Sequence, residues 1–162
     1  MDAANIDLKS FSDTFYQNIC QGRLAPVLQT IEYLHNHRVW IEITTLLIPG
    51  LNDSPEELKR LTNWLVNLSP TIPWHVSAFY PAYKMSTLPP TPAEKVYQAL
   101  EIGQAAGLKY VYAGNLDDKE FSDTLCPKCQ KPVIKRHHYQ TKNQLLAGGK
   151  CPDCQTKIAG RF

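Results

Sequence analysis

The sequence lacks any long apolar run, and its first residues lack the features of a secretion signal. No segment approaches the roughly 20 apolar residues that a membrane-spanning helix requires. Residues 1–5 supply neither the basic n-region nor the apolar h-region of a signal peptide. The charged fraction of 20% is ordinary and the hydrophobic fraction of 43% suffices for a core, which disfavours disorder. These absences predict a cytoplasmic, globular protein with no membrane partner.

Charge is divided unevenly along the chain. The 162 residues allow one ordinary domain and a small appendage. Residues 1–118 carry 8 Lys and Arg against 12 Asp and Glu, a net charge of −4. Residues 119–162 carry 9 against 3, a net charge of +6. This change of sign predicts a domain boundary near residue 118.

Strand and helix signals alternate through the first part. Ser54 begins the sequence Ser-Pro-Glu-Glu and Thr91 begins Thr-Pro-Ala-Glu, and both patterns are typical of a helix start. Gly107 is predicted to end the last helix. Residues 13–37 are predicted to be helical in two pieces. Strands are predicted at residues 5–8, 40–48, 74–80 and 109–113. Such alternation predicts a parallel sheet with right-handed crossovers, either as an open sheet or as part of a barrel.

Four of the five cysteines form two knuckles. Cys126-Pro-Lys-Cys129 and Cys151-Pro-Asp-Cys154 are separated by 21 residues, a spacing typical of a zinc site. Two facing knuckles complete a sulfur tetrahedron, and four thiolates leave no open position, so the metal is structural. A cytoplasmic setting disfavours two disulfides, and no thioredoxin-like context supports a redox motif. Iron in place of zinc fits the same spacing.

The remaining cysteine and two histidines receive simpler interpretations. Cys20 stands alone in a helical segment and is predicted to be a buried core thiol. His137 and His138 are spare candidates for the metal. Because the cysteine set is complete, we interpret them, with Lys135 and Arg136, as a solvated basic stretch.

Several motifs along the whole chain resemble one enzyme family. They are residues 5–11 (Asn-Ile-Asp-Leu-Lys-Ser-Phe), 46–54 (Leu-Leu-Ile-Pro-Gly-Leu-Asn-Asp-Ser), 83–85 (Tyr-Lys-Met), 110–115 (Tyr-Val-Tyr-Ala-Gly-Asn) and the Cys-Pro-x-Cys knuckles. The chain thereby resembles the C-terminal part of the radical S-adenosylmethionine (SAM) enzyme of the AmmeMemoRadiSam system. That enzyme is a relative of the pyruvate formate-lyase-activating enzymes.

The resemblance implies radical chemistry in a partial barrel of six strand–helix units. In the family a 4Fe–4S cluster, held by a Cys-x₃-Cys-x₂-Cys loop, donates an electron to SAM. Cleavage of SAM gives methionine and a 5′-deoxyadenosyl radical, which abstracts a hydrogen atom. This sequence has no such loop, and the family's glycine-rich SAM motif is also missing. SAM and the cluster are therefore expected only together with a missing N-terminal half.

The implied fold class is α/β: an incomplete parallel (β/α) barrel at residues 1–118, followed by a zinc ribbon at residues 119–162. The barrel part would correspond to strands four to six of the family and the last strand. We expect the chain to be either a truncated gene product or one half of a split enzyme. In both cases the chain alone would not cleave SAM.

The resemblance also implies contacts to SAM. Asp7 and Lys9 match an Asp-Leu-Lys motif in which the Asp helps to hold a cation beside the SAM carboxylate and the Lys meets that carboxylate. A surface ion pair at a strand end is the simpler explanation, with a contribution of ~0–1 kcal/mol. Thr44 and Asn115 are weaker candidates. The family's SAM-contacting His aligns with Tyr80, while His75 lies nearer the strand start, as either a contact or a core histidine.

Two functions from different classes remain. In the first, the chain would form one wall of a cavity for SAM and substrate. The substrate is not identified, and a protein is one candidate. Alternatively, the ribbon is a binding module for nucleic acid or an acidic protein. Few aromatic residues beyond Tyr139 are available for base stacking, which disfavours nucleic acid. The basic contacts in that case would be Lys128, Lys131, Lys135, Arg136 and Lys150.

Overall fold

The computed structural model describes residues 1–116, 121–137 and 140–161. The chain forms two compact units, Met1–Leu116 and Asp117–Phe162. Within the described part of the chain, no helix combines the length and apolar character needed to cross a bilayer.

The first unit is built on a four-stranded parallel sheet. Its strands follow one another in sequence order, and each pairs in parallel with the next. They are β1 (Ala3–Asp7), β2 (Trp40–Leu47), β3 (Trp74–Ala78) and β4 (Val111–Gly114). The predicted mixed α/β class with a parallel sheet is confirmed. The described strands form an open sheet, and the incomplete barrel stays a prediction.

Helices connect these strands. They are α1 (Asp13–Phe15), a π-helical turn (Tyr16–Cys20), α2 (Leu24–Asn36), α3 (Pro55–Leu68), a 3₁₀ turn (Tyr83–Met85) and α4 (Ala93–Ala106). Helix α3 begins as predicted: Pro55 occupies the first turn, and the Ser54 side chain accepts a hydrogen bond from the Glu57 N–H at 3.2 Å. Gly107 ends α4 in the left-handed conformation.

One face of the sheet is buried beneath helices. Alternate residues of β2 and β3 are buried, while their neighbours are only half-buried. The fully buried ring of Trp74 lies against Gly103 of α4, where a Cβ atom would approach two ring carbons to 2.9 Å. Glycine at position 103 therefore permits a close approach of helix and sheet. The opposite, open face carries polar side chains that are only half-buried within the described part of the chain: Glu42, Thr44, His75 and Ser77.

Two local predictions are wrong. Thr91 does not cap α4, because Pro92 holds the N-cap position. The Thr91 hydroxyl instead accepts from the Phe79 N–H at 2.9 Å and donates to the Leu47 carbonyl, joining the ends of β2 and β3. Cys20 is exposed, not buried, because it ends the π-helical turn just before Gln21, which adopts a left-handed conformation.

The second unit contains a small antiparallel sheet. Its strands are β5 (Thr124–Leu125), β6 (Pro132–His137) and β7 (Gln140–Asn143), with β6 in the middle. The buried side chains here include Val133, Ile158 and two cysteines, Cys126 and Cys151. An interior this small gives little hydrophobic stabilisation, so a further source of stability is expected.

Candidate functional site

Four cysteine sulfurs converge in the second unit. The ligand atoms of Cys126, Cys129, Cys151 and Cys154 all lie within 4.8 Å of one another. The Cys126 and Cys154 sulfurs are 3.5 Å apart, and those of Cys129 and Cys151 are 3.7 Å apart. A zinc ion with Zn–S bonds of about 2.3 Å would place its tetrahedral sulfurs about 3.8 Å apart. The four cysteines can therefore bind a metal such as zinc, as in a zinc ribbon.

The two knuckles share one backbone design. In the first, the Gln130 N–H donates to the Cys126 carbonyl at 2.8 Å, and Gln130 is left-handed with φ of 58°. In the second, the Gln155 N–H donates to the Cys151 carbonyl at 3.0 Å, with φ of 60°. Each turn thus directs its pair of sulfurs toward one point, as a structural metal site requires.

Two of the four thiols have pKa values that are shifted in opposite directions by their surroundings in the metal-free site. Hydrogen bonds with the side chain and the backbone of Thr156 lower the pKa of Cys154 to about 6. The backbone hydrogen bond at Lys131 lowers the pKa of Cys129, but burial and the three neighbouring cysteine side chains outweigh it and raise that pKa to about 12. Four thiolates this close repel one another, so their full deprotonation requires a cation at the centre.

Two basic side chains near the four cysteines are paired within the ribbon. Lys131 forms an ion pair with Asp153. The Arg136 guanidinium donates to the Ser122 carbonyl at 3.0 Å and to the Thr124 hydroxyl at 2.8 Å. Two of the five predicted nucleic-acid contacts therefore have partners inside the ribbon. The side chain of His137, together with His138 and Tyr139, lies outside the described residues.

The open face of the parallel sheet carries a row of side chains in register. Asp7 of β1 pairs with Thr44 of β2, Thr44 with His75 of β3, and His75 with Tyr112 of β4. Residues in register on one face of neighbouring strands lie side by side. Three predicted SAM contacts, Asp7, Thr44 and His75, are thereby brought into one row.

Asp7 and Lys9 form an ion pair at the end of β1. The Lys9 ammonium lies 3.0 Å from an Asp7 carboxylate oxygen, and the side chains are 38% and 54% exposed, respectively. Asp7 shares its strand face with Asn5, whose side-chain oxygen accepts from the Thr44 hydroxyl at 2.9 Å. The pair therefore lies on the open face and is accessible to a ligand.

His75 is held by two neighbours on the same face. Its Nε2 atom lies 2.7 Å from the Glu42 carboxylate, and its ring stacks on Tyr112 with ring centroids 4.9 Å apart. His75 is half-buried, so it is neither a core histidine nor a fully solvated one.

Tyr80 and Asn115 meet at the carboxyl ends of β3 and β4. Tyr80, 59% exposed, donates its hydroxyl to the Asn115 carbonyl at 3.0 Å. The Asn115 side chain donates to the Ala78 carbonyl at 3.1 Å, and the residue is left-handed with φ of 57°. In this structure Asn115 holds a turn at the end of the sheet.

Asn52 was not predicted as a site residue, yet it joins two strand ends. Its side-chain nitrogen donates to the Lys9 carbonyl at 2.6 Å and to the Leu46 carbonyl at 2.9 Å. Its side-chain oxygen accepts from the Ile48 N–H at 2.7 Å. Asn52 is only 2% exposed. Its place in the Pro-Gly-Leu-Asn-Asp motif was the signal available in the sequence, but its partners depend on tertiary structure.

Glu57 makes a second link to the segment after β1. Its carboxylate accepts from the Ser10 hydroxyl and from the Phe11 N–H, the latter at 2.8 Å. Glu57 is buried, and the sequence indicated only its helix-start position. Together, Asn52 and Glu57 hold the residues that immediately follow the Asp7–Lys9 pair.

The known proteins that are similar to this chain match it over segments of very different length. No family model matches the chain. An uncharacterized protein of Methanocaldococcus jannaschii is 36% identical over 161 residues, which are 98% of this chain and 48% of that protein. A prepilin leader peptidase/N-methyltransferase of Neisseria gonorrhoeae is 42% identical over 40 residues, 25% of this chain and 14% of that enzyme. The chain thus spans about half, or less, of the curated relatives it matches.

A solved structure shares the fold. A domain of the pyruvate-formate lyase-activating enzyme from Bacteroides vulgatus superposes with a TM-score of 0.59 and 24% identity. The match covers 70% of this chain and 67% of that domain. The chain therefore shares the α/β fold of that domain and carries, in addition, a four-cysteine site suited to a metal.

Proposed function

We propose that this chain is the part of a radical SAM protein that forms one wall of the SAM and substrate cavity. The observation that carries the proposal is the Asp7–Lys9 pair, which lies at the carboxyl end of β1 on the open face of an activating-enzyme-like sheet. Ligands of parallel α/β proteins bind at the carboxyl ends of strands. Because the Methanocaldococcus relative is about twice as long, a cluster-bearing half would come from sequence outside this chain.

The residues of the open face suit the polar parts of SAM. The Lys9 ammonium would attract the SAM carboxylate, and Asp7 would hold a cation or the SAM amino group nearby. Thr44, His75 and Asn115 are the further candidate contacts. The cluster, when bound by the other half, supplies the electron that cleaves SAM; this chain supplies binding and orientation. The four-cysteine ribbon would hold a structural zinc and no catalytic metal.

A mixing experiment tests this proposal. The chain is combined with a separately produced segment that carries a Cys-x₃-Cys-x₂-Cys loop and a reconstituted cluster, and 5′-deoxyadenosine is measured. Neither part alone is expected to cleave SAM, whereas the mixture is. Lys9→Met should weaken SAM binding by roughly 10- to 100-fold, the worth of one charge-assisted hydrogen bond. Lys109→Met, at an exposed lysine after α4, is the matched control and should change nothing.

The result that contradicts the proposal is equally direct. If the Lys9→Met and Lys109→Met variants bind SAM equally well in an active mixture, Asp7 and Lys9 form only a surface ion pair. If the mixture forms no complex and cleaves no SAM, the cavity role is wrong.

A second candidate function belongs to the ribbon. A shallow groove of about 480 Å³ there is lined by Lys157 and Arg161 beside the turn at Gly148 and Gly149. This groove and the positive charge of the ribbon favour an acidic protein partner. The test is salt-sensitive binding of an acidic peptide that Lys157→Glu weakens while the zinc content stays the same.

A further inference from the structure

The four cysteines of the ribbon differ in how far solvent reaches them. The first cysteine of each knuckle, Cys126 or Cys151, is buried, whereas the second, Cys129 or Cys154, is half-buried. A small molecule from solvent therefore meets the second cysteine of each knuckle first. Thiolate character and exposure decide which cysteines are oxidised, so these two are the points of attack for an oxidant.

The short sulfur–sulfur contacts connect opposite knuckles. The Cys126 and Cys154 sulfurs are 3.5 Å apart, and the Cys129 and Cys151 sulfurs are 3.7 Å apart. Each half-buried sulfur thus lies beside the buried sulfur of the other knuckle. A disulfide bond of about 2.05 Å requires each of these two cross-knuckle pairs to close by only about 1.5 Å.

The two knuckles are also joined through groups other than sulfur. Lys131 follows the first knuckle, and its carbonyl accepts a hydrogen bond from the Cys126 N–H at 2.9 Å. Its ammonium forms an ion pair with Asp153, which lies inside the second knuckle. An ion pair at the surface adds little stability. It does bring the two knuckles together in the same arrangement that places the cross-knuckle sulfurs side by side.

We propose that these cysteines are an oxidation site, at which hydrogen peroxide converts the cross-knuckle pairs Cys126–Cys154 and Cys129–Cys151 into disulfide bonds. The inference rests on the metal site of the proposed function, because the thiolates that bind a metal are also the groups that an oxidant attacks.

The chemistry of each pair takes two steps. The half-buried thiolate attacks one peroxide oxygen, the O–O bond breaks, and a sulfenic acid and a hydroxide ion form. The buried thiolate of the pair then attacks the sulfenic sulfur, which forms the S–S bond and displaces a second hydroxide ion. The two thiolates together lose two electrons, and the peroxide gains them.

Oxidation of one pair is enough to change the site. It leaves two thiolates, whereas a structural zinc site uses four ligands, so a bound zinc ion should be released. A cross-knuckle disulfide then links the two knuckles covalently in place of the metal. Disulfides within each Cys-x-x-Cys turn would instead leave the two turns without such a link.

The test uses the full zinc-loaded chain with the change Cys20→Ser, because the exposed Cys20 thiol would otherwise form disulfides between chains. Hydrogen peroxide is added in excess, and zinc release is followed with a chromogenic chelator. Remaining thiols are alkylated, and the disulfides are identified by mass spectrometry. Lys128 and Asp153 each lie between the two cysteines of a knuckle, so proteolysis after lysine and before aspartate separates all four cysteines. We expect loss of the bound zinc and the two cross-knuckle disulfides as the main products.

The same chain, oxidised in concentrated guanidinium chloride after zinc removal, is the reference. In an unfolded chain the shortest loops close most readily, so the disulfides Cys126–Cys129 and Cys151–Cys154 should prevail there. The same pairing in the folded chain, or zinc retained on reduced cysteines, overturns the inference. A purified chain without zinc contradicts the zinc site of the proposed function, and the pairing found in the folded chain still decides this inference.

Discussion

Asn52 gives the sharpest test of how the strand ends are held. Asn52→Ala removes two donated and one accepted hydrogen bond from a buried position. It leaves two carbonyl groups and one N–H without their partner at a position where Asn52 itself is only 2% exposed. Each neutral hydrogen bond contributes about 0.5–1.5 kcal/mol, and an orphaned buried group costs about 1–3 kcal/mol. Some relaxation is expected, so the free energy of unfolding should fall by about 2–4 kcal/mol.

Urea unfolding followed by tryptophan fluorescence measures this loss. Trp40, Trp64 and Trp74 are the three tryptophans of the sequence, and all lie in the first unit, so their emission reports on that unit. With a urea m-value of about 2 kcal/mol/M, the midpoint should fall by about 1–2 M. Asn63→Ala, at an exposed position of α3, is the matched control and should change stability by about 0.5 kcal/mol or less.

The refuting result is an Asn52→Ala midpoint equal to that of Asn63→Ala. It would mean that water or neighbouring groups replace all three hydrogen bonds. Asn52 would then not be what fixes the segment containing Lys9, and a different origin for the position of the Asp7–Lys9 pair would be required.

Three further predictions follow from the ribbon and the helix–sheet contact. Metal analysis of the purified chain should find one zinc ion. The Cys126→Ser variant should lose the zinc, and its ribbon should unfold. The Cys20→Ser variant, changed at an exposed cysteine, is the control and should keep the zinc. Acidification should release the metal, because the metal binds thiolates and the pKa of metal-free Cys129 is about 12. The apparent metal affinity, measured with a chromogenic chelator, should therefore fall at least about tenfold for each pH unit of acidification through neutrality. A pH-independent affinity would contradict this prediction. Gly103→Ala should destabilise the first unit by about 1 kcal/mol or more in the same urea assay. The reason is that the cost of overpacking the new methyl group against Trp74 exceeds the gain in helix propensity. Gln104→Ala, on the exposed side of α4, is the control and should leave stability unchanged.

Local chemistry explains why parts of this structure could be predicted from sequence. A Cys-Pro-x-Cys turn places its two sulfurs with few choices of backbone, so the four-cysteine cluster follows from spacing. Ser54 caps α3 through a hydrogen bond to a residue three positions away, which is also a local property. The alternation in β2 likewise separates a buried from an open face within one strand.

Other features depend on partners distant in sequence. The hydroxyl of Thr91 had two possible roles, a helix cap or a link to Leu47, and only the position of β2 decides between them. Asn52 bonds to Lys9, 43 residues away, and Glu42 to His75, 33 residues away. Strand register determines all of these contacts, and register is a property of the assembled sheet.

Leu46 shows where simple strand alternation stops being a guide to the open face. By alternation Leu46 lies on the same face of β2 as Glu42 and Thr44. In the structure it packs against a buried cluster of Phe15, Ile48 and Phe79, which Met85 and Leu88 also contact. An exposed leucine at this end of β2 would lose hydrophobic stabilisation, and the segment after β3 covers it instead. The polar row therefore ends at Thr44 on this strand, and the surface available to a ligand lies toward Asp7 and His75.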